Sequence, residues 1–263
     1  MNKIKFILLL IFCCIAFNPV FADALIAEIS KDEYKTNLPQ VLDAETKLPL
    51  RDATISLPSE GKFTKSDSNG NFKLNINKNS PIILSLQKDG YRPFSLTIKD
   101  GQIMQNLKIE MQKITPFNIV VSDNLMHLGD NSYSDKSSSA CLINSPCVGP
   151  EFSKTFYVGN ITSKTKAYVS IGSIIGLDTV QAMRLGQNKL TNATSTPLEI
   201  FVNNKKIGEL KINGDNQKIP IPTQYLKPSS NNTLTLKTGV NKNTFDMIDY
   251  DDVEIMNLIV DIK

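Results

Sequence analysis

Read for alternation, the chain breaks into short strands. Ala53, Ile55 and Leu57 interleave with Thr54 and Ser56, and Phe72, Leu74 and Ile76 with Asn71, Lys73 and Asn75. Phe94, Leu96 and Ile98 alternate with Ser95, Thr97 and Lys99, and Leu107, Ile109 and Met111 with Lys108, Glu110 and Gln112. A period of two sends one set of side chains into a core and the other into water. Turn formers separate the runs: Ser68-Asn69-Gly70, Asn79-Ser80-Pro81, Asp89-Gly90 and Asp100-Gly101. In the first of these, Asp67 can bond the backbone two residues on, and Gly70 can take a positive φ without a Cβ clash. No helical pattern intervenes, so residues 37–113 predict an antiparallel β-sandwich.

A short linker, Lys113 to Thr115, predicts that a second body touches the first. Its expected strands are Phe117–Val121, Phe152–Val158, Ala167–Ile171, Leu198–Val202, Lys206–Ile212, Leu234–Lys237 and Val253–Ile262. Asn203-Asn204 predicts a hairpin turn, because asparagine tolerates the left-handed region that primed turns demand. Thr179–Leu190 fits either a short helix or a loop. Residues 123–150 and 186–197, rich in Ser, Asn, Thr and Gly, predict long surface loops, where binding residues concentrate on β-scaffolds. The expected fold is therefore all-β, with two consecutive antiparallel β-sandwiches, the second spanning 114–263.

The first residues change the picture of where the chain works. Lys3 and Lys5 precede an apolar run, Ile7 to Phe17, that is short for a transmembrane helix and ends at Asn18-Pro19. Val20-Phe21-Ala22 supplies a cleavage frame, so residues 1–22 predict a signal peptide, with 23–36 as an N-terminal extension. An exported, periplasmic or extracellular protein is expected. The chain's 29 basic and 26 acidic residues become 27 and 26 once Lys3 and Lys5 are removed. That balance argues against a nucleic-acid partner, which needs a basic excess on one face. No later segment is apolar enough to span a bilayer. Of four cysteines, Cys141 and Cys147 remain after cleavage; six residues apart around a turn-forming spacer, they predict a disulfide in an oxidising compartment.

Several of these pieces occur together in a known order. Val41-Leu42-Asp43 with Leu48-Pro49-Leu50, then Ala53 to Leu57, then Ser66 to Phe72, then Asp89-Gly90-Tyr91 resemble the carboxypeptidase regulatory-like domain. The resemblance implies a transthyretin-like sandwich that acts as a stabilising or spacing unit without catalysis. Pro39 stands where that family often has glycine. Residues 114–263 resemble, more loosely, a galactose-binding-like jelly roll of the kind found in carbohydrate-binding modules. That likeness rests on His127-Leu128-Gly129-Asp130, the Leu198–Leu210 hairpin and Asp249 to Ile255. It implies a binding module for a glycan or cell-envelope component, often with a structural calcium near the last strand.

The candidate chemistry lies at that last strand. Asp249, Asp251, Asp252 and Glu254, with Asp130 from an early loop, form the candidate calcium site; the alternative is a solvated acidic turn. Candidate ligand contacts are His127, Tyr133, Tyr157 and Tyr250, the tyrosines standing in for the tryptophan the chain lacks. His127 is the sole histidine, and as a catalytic base it would need a nucleophile and an orienting acid; its plain reading is a loop or partly buried polar residue. Gly172-Ser173-Ile174-Ile175-Gly176 does not space its glycines as a nucleophile elbow, and no phosphate-binding loop or zinc-protease histidine pair is present. A non-catalytic binding protein is expected. A structural or adhesion protein is the alternative, and a hydrolase the remote one.

Overall fold

The computed structural model describes residues 38–76, 81–99, 104–130, 143, 145–188, 194–241 and 248–263. The expected signal peptide, N-terminal extension, Tyr133 and Cys141 lie outside the described residues. Among those described, no helix is long and apolar enough to cross a membrane.

The first lobe contains β1 (Gln40–Asp43), β2 (Thr54–Leu57), β3 (Lys62–Lys65), β4 (Ile82–Gln87), β5 (Phe94–Ile98) and β6 (Lys108–Met111). A four-stranded antiparallel sheet runs in the order β3-β2-β4-β5, and β1 pairs with β6 in parallel against it. Alternation works as expected on β2, where Ile55 and Leu57 are buried beside Val41, Phe72, Leu84 and Met111. The edge strand β3, Lys-Phe-Thr-Lys, carries a lysine at each end, a charge pattern that discourages pairing with other chains. The expected strand at Phe72–Ile76 is not one. Asn71 makes a single bridge to Gln40, and Phe72 enters the core from extended chain without a ladder.

The turn before it is built as the sequence predicts. Asp67 Oδ1 accepts from the N–H of Asn69 and of Asn71, each at 2.8 Å. Gly70 sits at φ +73°.

The second lobe comprises β7 (Asn118–Ser122), β8 (Met126–Leu128), β9 (Glu151–Val158), β10 (Ala167–Ile175), β11 (Leu198–Val202), β12 (Lys205–Leu210), β13 (Gly214–Ile221), β14 (Ser230–Lys237) and β15 (Val253–Ile262). One sheet runs β13-β10-β15-β7, with β8 on the same edge of β15 as β7; the other runs β12-β11-β14-β9. Their inner faces share a core that includes Val169, Ile171, Ile200, Leu234, Leu236 and Leu258. Asn203 and Asn204, at φ +49° and +63°, form the left-handed hairpin turn between β11 and β12. A short helix, α1 (Val180–Arg184), is capped by Thr179, whose hydroxyl accepts from the Ala182 N–H at 3.1 Å.

Burial along β15 does not alternate: every residue from Val253 to Asp261 is buried. Val253, Ile255, Leu258 and Val260 enter the sandwich core, whereas Met256 packs outward against Ile83 and Ile175. The step from Ile255 to Leu258 contains one residue too many for strict alternation. Asn257 takes it up at φ +60°, and β10 breaks step at the facing Gly172, so the two strands stay in one register. The register between β15 and β7 shifts just beyond it, between Leu258 and Ile259. The first lobe covers this outer face. Arg92 Nη2 lies 3.0 Å from Asp261 Oδ2, Ser173 donates to Ser95 at 3.0 Å, and Gln87 donates to the Asp123 carbonyl at 3.0 Å. Asp215 accepts from the backbone and the hydroxyl of Thr97. Leu38–Lys263 is accordingly a single compact unit.

Candidate functional site

The His127-Leu128-Gly129-Asp130 segment and the head of β15 meet, as the sequence suggests. β8 runs antiparallel to β15 with His127 opposite Glu254. The His127 ring is fully buried between two acceptors: Nε2 lies 2.7 Å from Asp252 Oδ1, and Nδ1 lies 2.7 Å from the Ser145 carbonyl. A ring that donates on both sides is an imidazolium. Burial opposes that charge, but the Asp252 carboxylate, the Ser145 carbonyl and the nearby Glu254 outweigh it and raise the His127 pKa above its ordinary value. Gly129 makes the contact sterically possible, because a Cβ there would stand 2.0 Å from Asp252 Oδ1. The Asp130 N–H also donates to Asp252 Oδ1, at 3.2 Å, and its own carboxylate accepts the Tyr250 N–H at 2.9 Å. Ser145 donates to Glu254 at 2.6 Å.

The remaining acidic residues face elsewhere. Asp251 points to the opposite side of the strand from Asp252, as alternation requires. There it meets Asp178, a residue the sequence reading passed over, whose N–H donates to Asp251 Oδ2 at 3.2 Å. Both carboxyl groups are buried. Desolvation first, and then the neighbouring Asp178 charge, push the Asp251 pKa well above the usual carboxylate range. Asp249 accepts from the Asn241 amide at 3.1 Å. The five candidate calcium ligands are thus divided between the His127 side and the Asp178 side. The single grouping of three His, Cys, Asp or Glu ligand atoms within 4.8 Å, among the described residues, is His127, Cys147 and Asp252. Within that set the His127 Nε2 is hydrogen-bonded to Asp252 itself, and Nδ1 to the Ser145 carbonyl. Burial raises the Cys147 thiol pKa. Cys147 forms no disulfide among the described residues, which do not include its expected partner Cys141.

The buried acid pair gives a signed expectation. A carboxyl whose pKa is raised on folding stabilises the fold below the unfolded value of 3.8 and loses that contribution as pH rises through the folded value. Asp251→Asn is therefore expected to raise the urea midpoint at neutral pH, and the gain should vanish at pH values below 3.8. An unchanged or lowered midpoint at neutral pH would show that the pair is not strained.

Of the candidate ligand contacts, His127 is enclosed and offers no surface. Tyr250 is half-buried, and Tyr157 is 59% exposed on β9. The outer face of the β12-β11-β14-β9 sheet places Tyr157 opposite Asn231, Thr155 opposite Thr233, and Ser153 opposite Thr235. Phe201 lies opposite Thr235, with the Lys237 ammonium 5.6 Å from the centre of its ring. A second concavity lies between the lobes, a cleft of about 160 Å³ walled by Phe94 and Gln112 on one side and Ser170, Asn216 and Asn257 on the other. The sequence reading missed it because its walls come from both sandwiches. Its one legible sign was the polar Asn257 in the otherwise apolar Ile255–Val260 run.

Comparison with known proteins gives a partial match. None of the curated proteins compared matches the sequence. Among solved structures, the chain is similar to the crystal structure of BuGH86wt in complex with neoagarooctaose, at 13% identity and a TM-score of 0.31. The match covers 81% of this chain and 27% of that one, so the chain spans about a quarter of the length of that neighbour. Residues 40–121 match the family described as CarboxypepD_reg-like domain, which supports the resemblance of the first lobe to carboxypeptidase regulatory-like domains.

Proposed function

We propose that this chain is a non-catalytic protein, acting outside the cytoplasm, that holds a glycan or other cell-envelope ligand on its second sandwich. The observation that carries the reading is the exposed Tyr157 ring on a sheet face whose surroundings, apart from Phe201, are polar. A pyranose presents a C–H face that packs on an aromatic ring, and hydroxyls that pair with groups such as those of Asn231, Thr155 and Thr233. The chain's single histidine supports the non-catalytic reading. A base must reach the proton it removes, and His127 is enclosed and saturated by Asp252 and Ser145. The first lobe serves as a buttress for the sheet that carries β15. Calcium is not required by this reading, which rests on the sheet face.

A glycan-array screen of the full chain tests this. A ligand should be found, and Tyr157→Ala should weaken it by about tenfold, on the scale of one lost aromatic contact. Binding that survives Tyr157→Ala unchanged would remove the sheet face from the reading. A folded protein that binds no glycan would shift the function to protein–protein contacts.

A further inference from the structure

We infer that the cleft between the lobes is a second binding site, for a neutral hydroxyl-rich ring the size of a single sugar unit. The inference rests on the proposed function for its class of ligand, but on different residues for its place. The carrying observation is Asn257. Its side chain lines the cleft, is fully buried, and has neither amide atom hydrogen-bonded. An unpaired buried amide is costly, and here the residue that carries it holds a left-handed backbone as well. Across the sheet, Gly172 keeps the space open. A Cβ there would stand 2.4 Å from Ser95 Oγ and 2.8 Å from the Asn257 Cβ.

The rest of the lining suits the same chemistry. Gln112, Asn216 and Asn257 each offer a donor and an acceptor, as does the hydroxyl of Ser95, while Ser170, which donates to Asp261, offers an acceptor. Vicinal hydroxyls are likewise donor and acceptor at once, so amides pair with them in both directions. Of the formal charges in the wall, Arg92 is paired with Asp261 and Glu110 with Lys47, and most of the other polar lining groups are uncharged. A lining whose polar groups are mostly uncharged favours a neutral guest over an anion or a cation. Phe94 and Pro93 supply an apolar side for a C–H face. A water needs roughly 10–15 Å³ of such space, so about 160 Å³ accommodates a molecule of several heavy atoms.

The test uses the full chain with asparagine side chains labelled with nitrogen-15, titrated with galactose, glucose and N-acetylglucosamine. The Asn257 amide resonance is assigned by its absence in Asn257→Gly, a substitution that tolerates the positive φ. The expected result is a saturable shift of that resonance by at least one sugar, together with binding weakened about tenfold in Asn257→Gly. If Asn257→Gly does not fold, Asn216→Gly, at another left-handed cleft residue, is expected to weaken binding in the same direction. No shift by any of the three sugars, or binding that leaves the Asn257 resonance unmoved, overturns the inference. The two readings fail separately. Loss of glycan binding in Tyr157→Ala with Asn257 unmoved sinks the cleft and leaves the sheet face, whereas an Asn257 shift that persists in Tyr157→Ala supports the cleft alone.

Discussion

Replacing Asp252 with alanine is expected to destabilise the protein by about 3–5 kcal/mol, the usual result of leaving one partner of a buried ion pair behind. The substitution strands the His127 imidazolium in a site where the ring is fully enclosed. It also removes the acceptor for the Asp130 N–H. The pH dependence follows from the raised His127 pKa. The pair contributes fully below the ordinary value of 6.5 and loses its contribution as pH rises through the folded value. Urea midpoints measured across that range should fall with rising pH in the native protein and fall less in Asp252→Ala. Equal midpoints for the two proteins at pH 6 or below would mean that His127 is not held as a cation.

The second large effect is expected at Gly70, in the other lobe. Gly70→Ala places a methyl group 2.4 Å from the Val41 carbonyl oxygen, which already accepts the Leu50 N–H at 2.9 Å. It also forces a residue with a side chain to keep φ +73°, which alone costs roughly 1–2 kcal/mol. Together with the displaced carbonyl, a loss of about 2–4 kcal/mol follows. Gly61→Ala is the control: it too has a positive φ, +63°, but its Cβ would meet nothing within 4 Å. Denaturant midpoints should rank the native protein first, Gly61→Ala second and Gly70→Ala last. A Gly61→Ala loss as large as that of Gly70→Ala would mean that the close approach to Val41 contributes nothing.

These residues also mark what a sequence can and cannot disclose here. Where one face of a strand meets water, the pattern is plain: β2, β5, β6, β9 and β11 lie close to their expected positions, and the Asp67–Gly70 turn and Asn203-Asn204 hairpin follow from local chemistry alone. β4 escaped because Ile82 to Ser85 are all buried and show no period. Its outward Ile83 is covered by the second lobe, a fact of packing at a distance. β13 escaped because Gly214, Pro220 and its polar residues read as loop; Pro220 is tolerated because β13 is an edge strand. The meeting of His127 with the acidic segment was legible as a motif, but its sense was not. Clustered carboxylates read as a cation site; the His127 ring packs against Asp252 on one side of the cluster, while on the other Asp251 faces a second acid. Asp178 and Asp261 gave no local signal, since each takes its meaning from a partner far along the chain.

The sealed outer face of β15 limits how the protein can be taken apart. A chimera or truncation that keeps only the second sandwich would bare Met256, Ile175 and Ile259 as a greasy strip and leave Asp261 without its arginine. Such a product would be prone to stick to itself. The first sandwich is therefore not an interchangeable bead on a string. A homologous module could replace it only if it brought its own counterparts of Ile83, Arg92 and Ser95, so the two halves should change in step as sequences diverge.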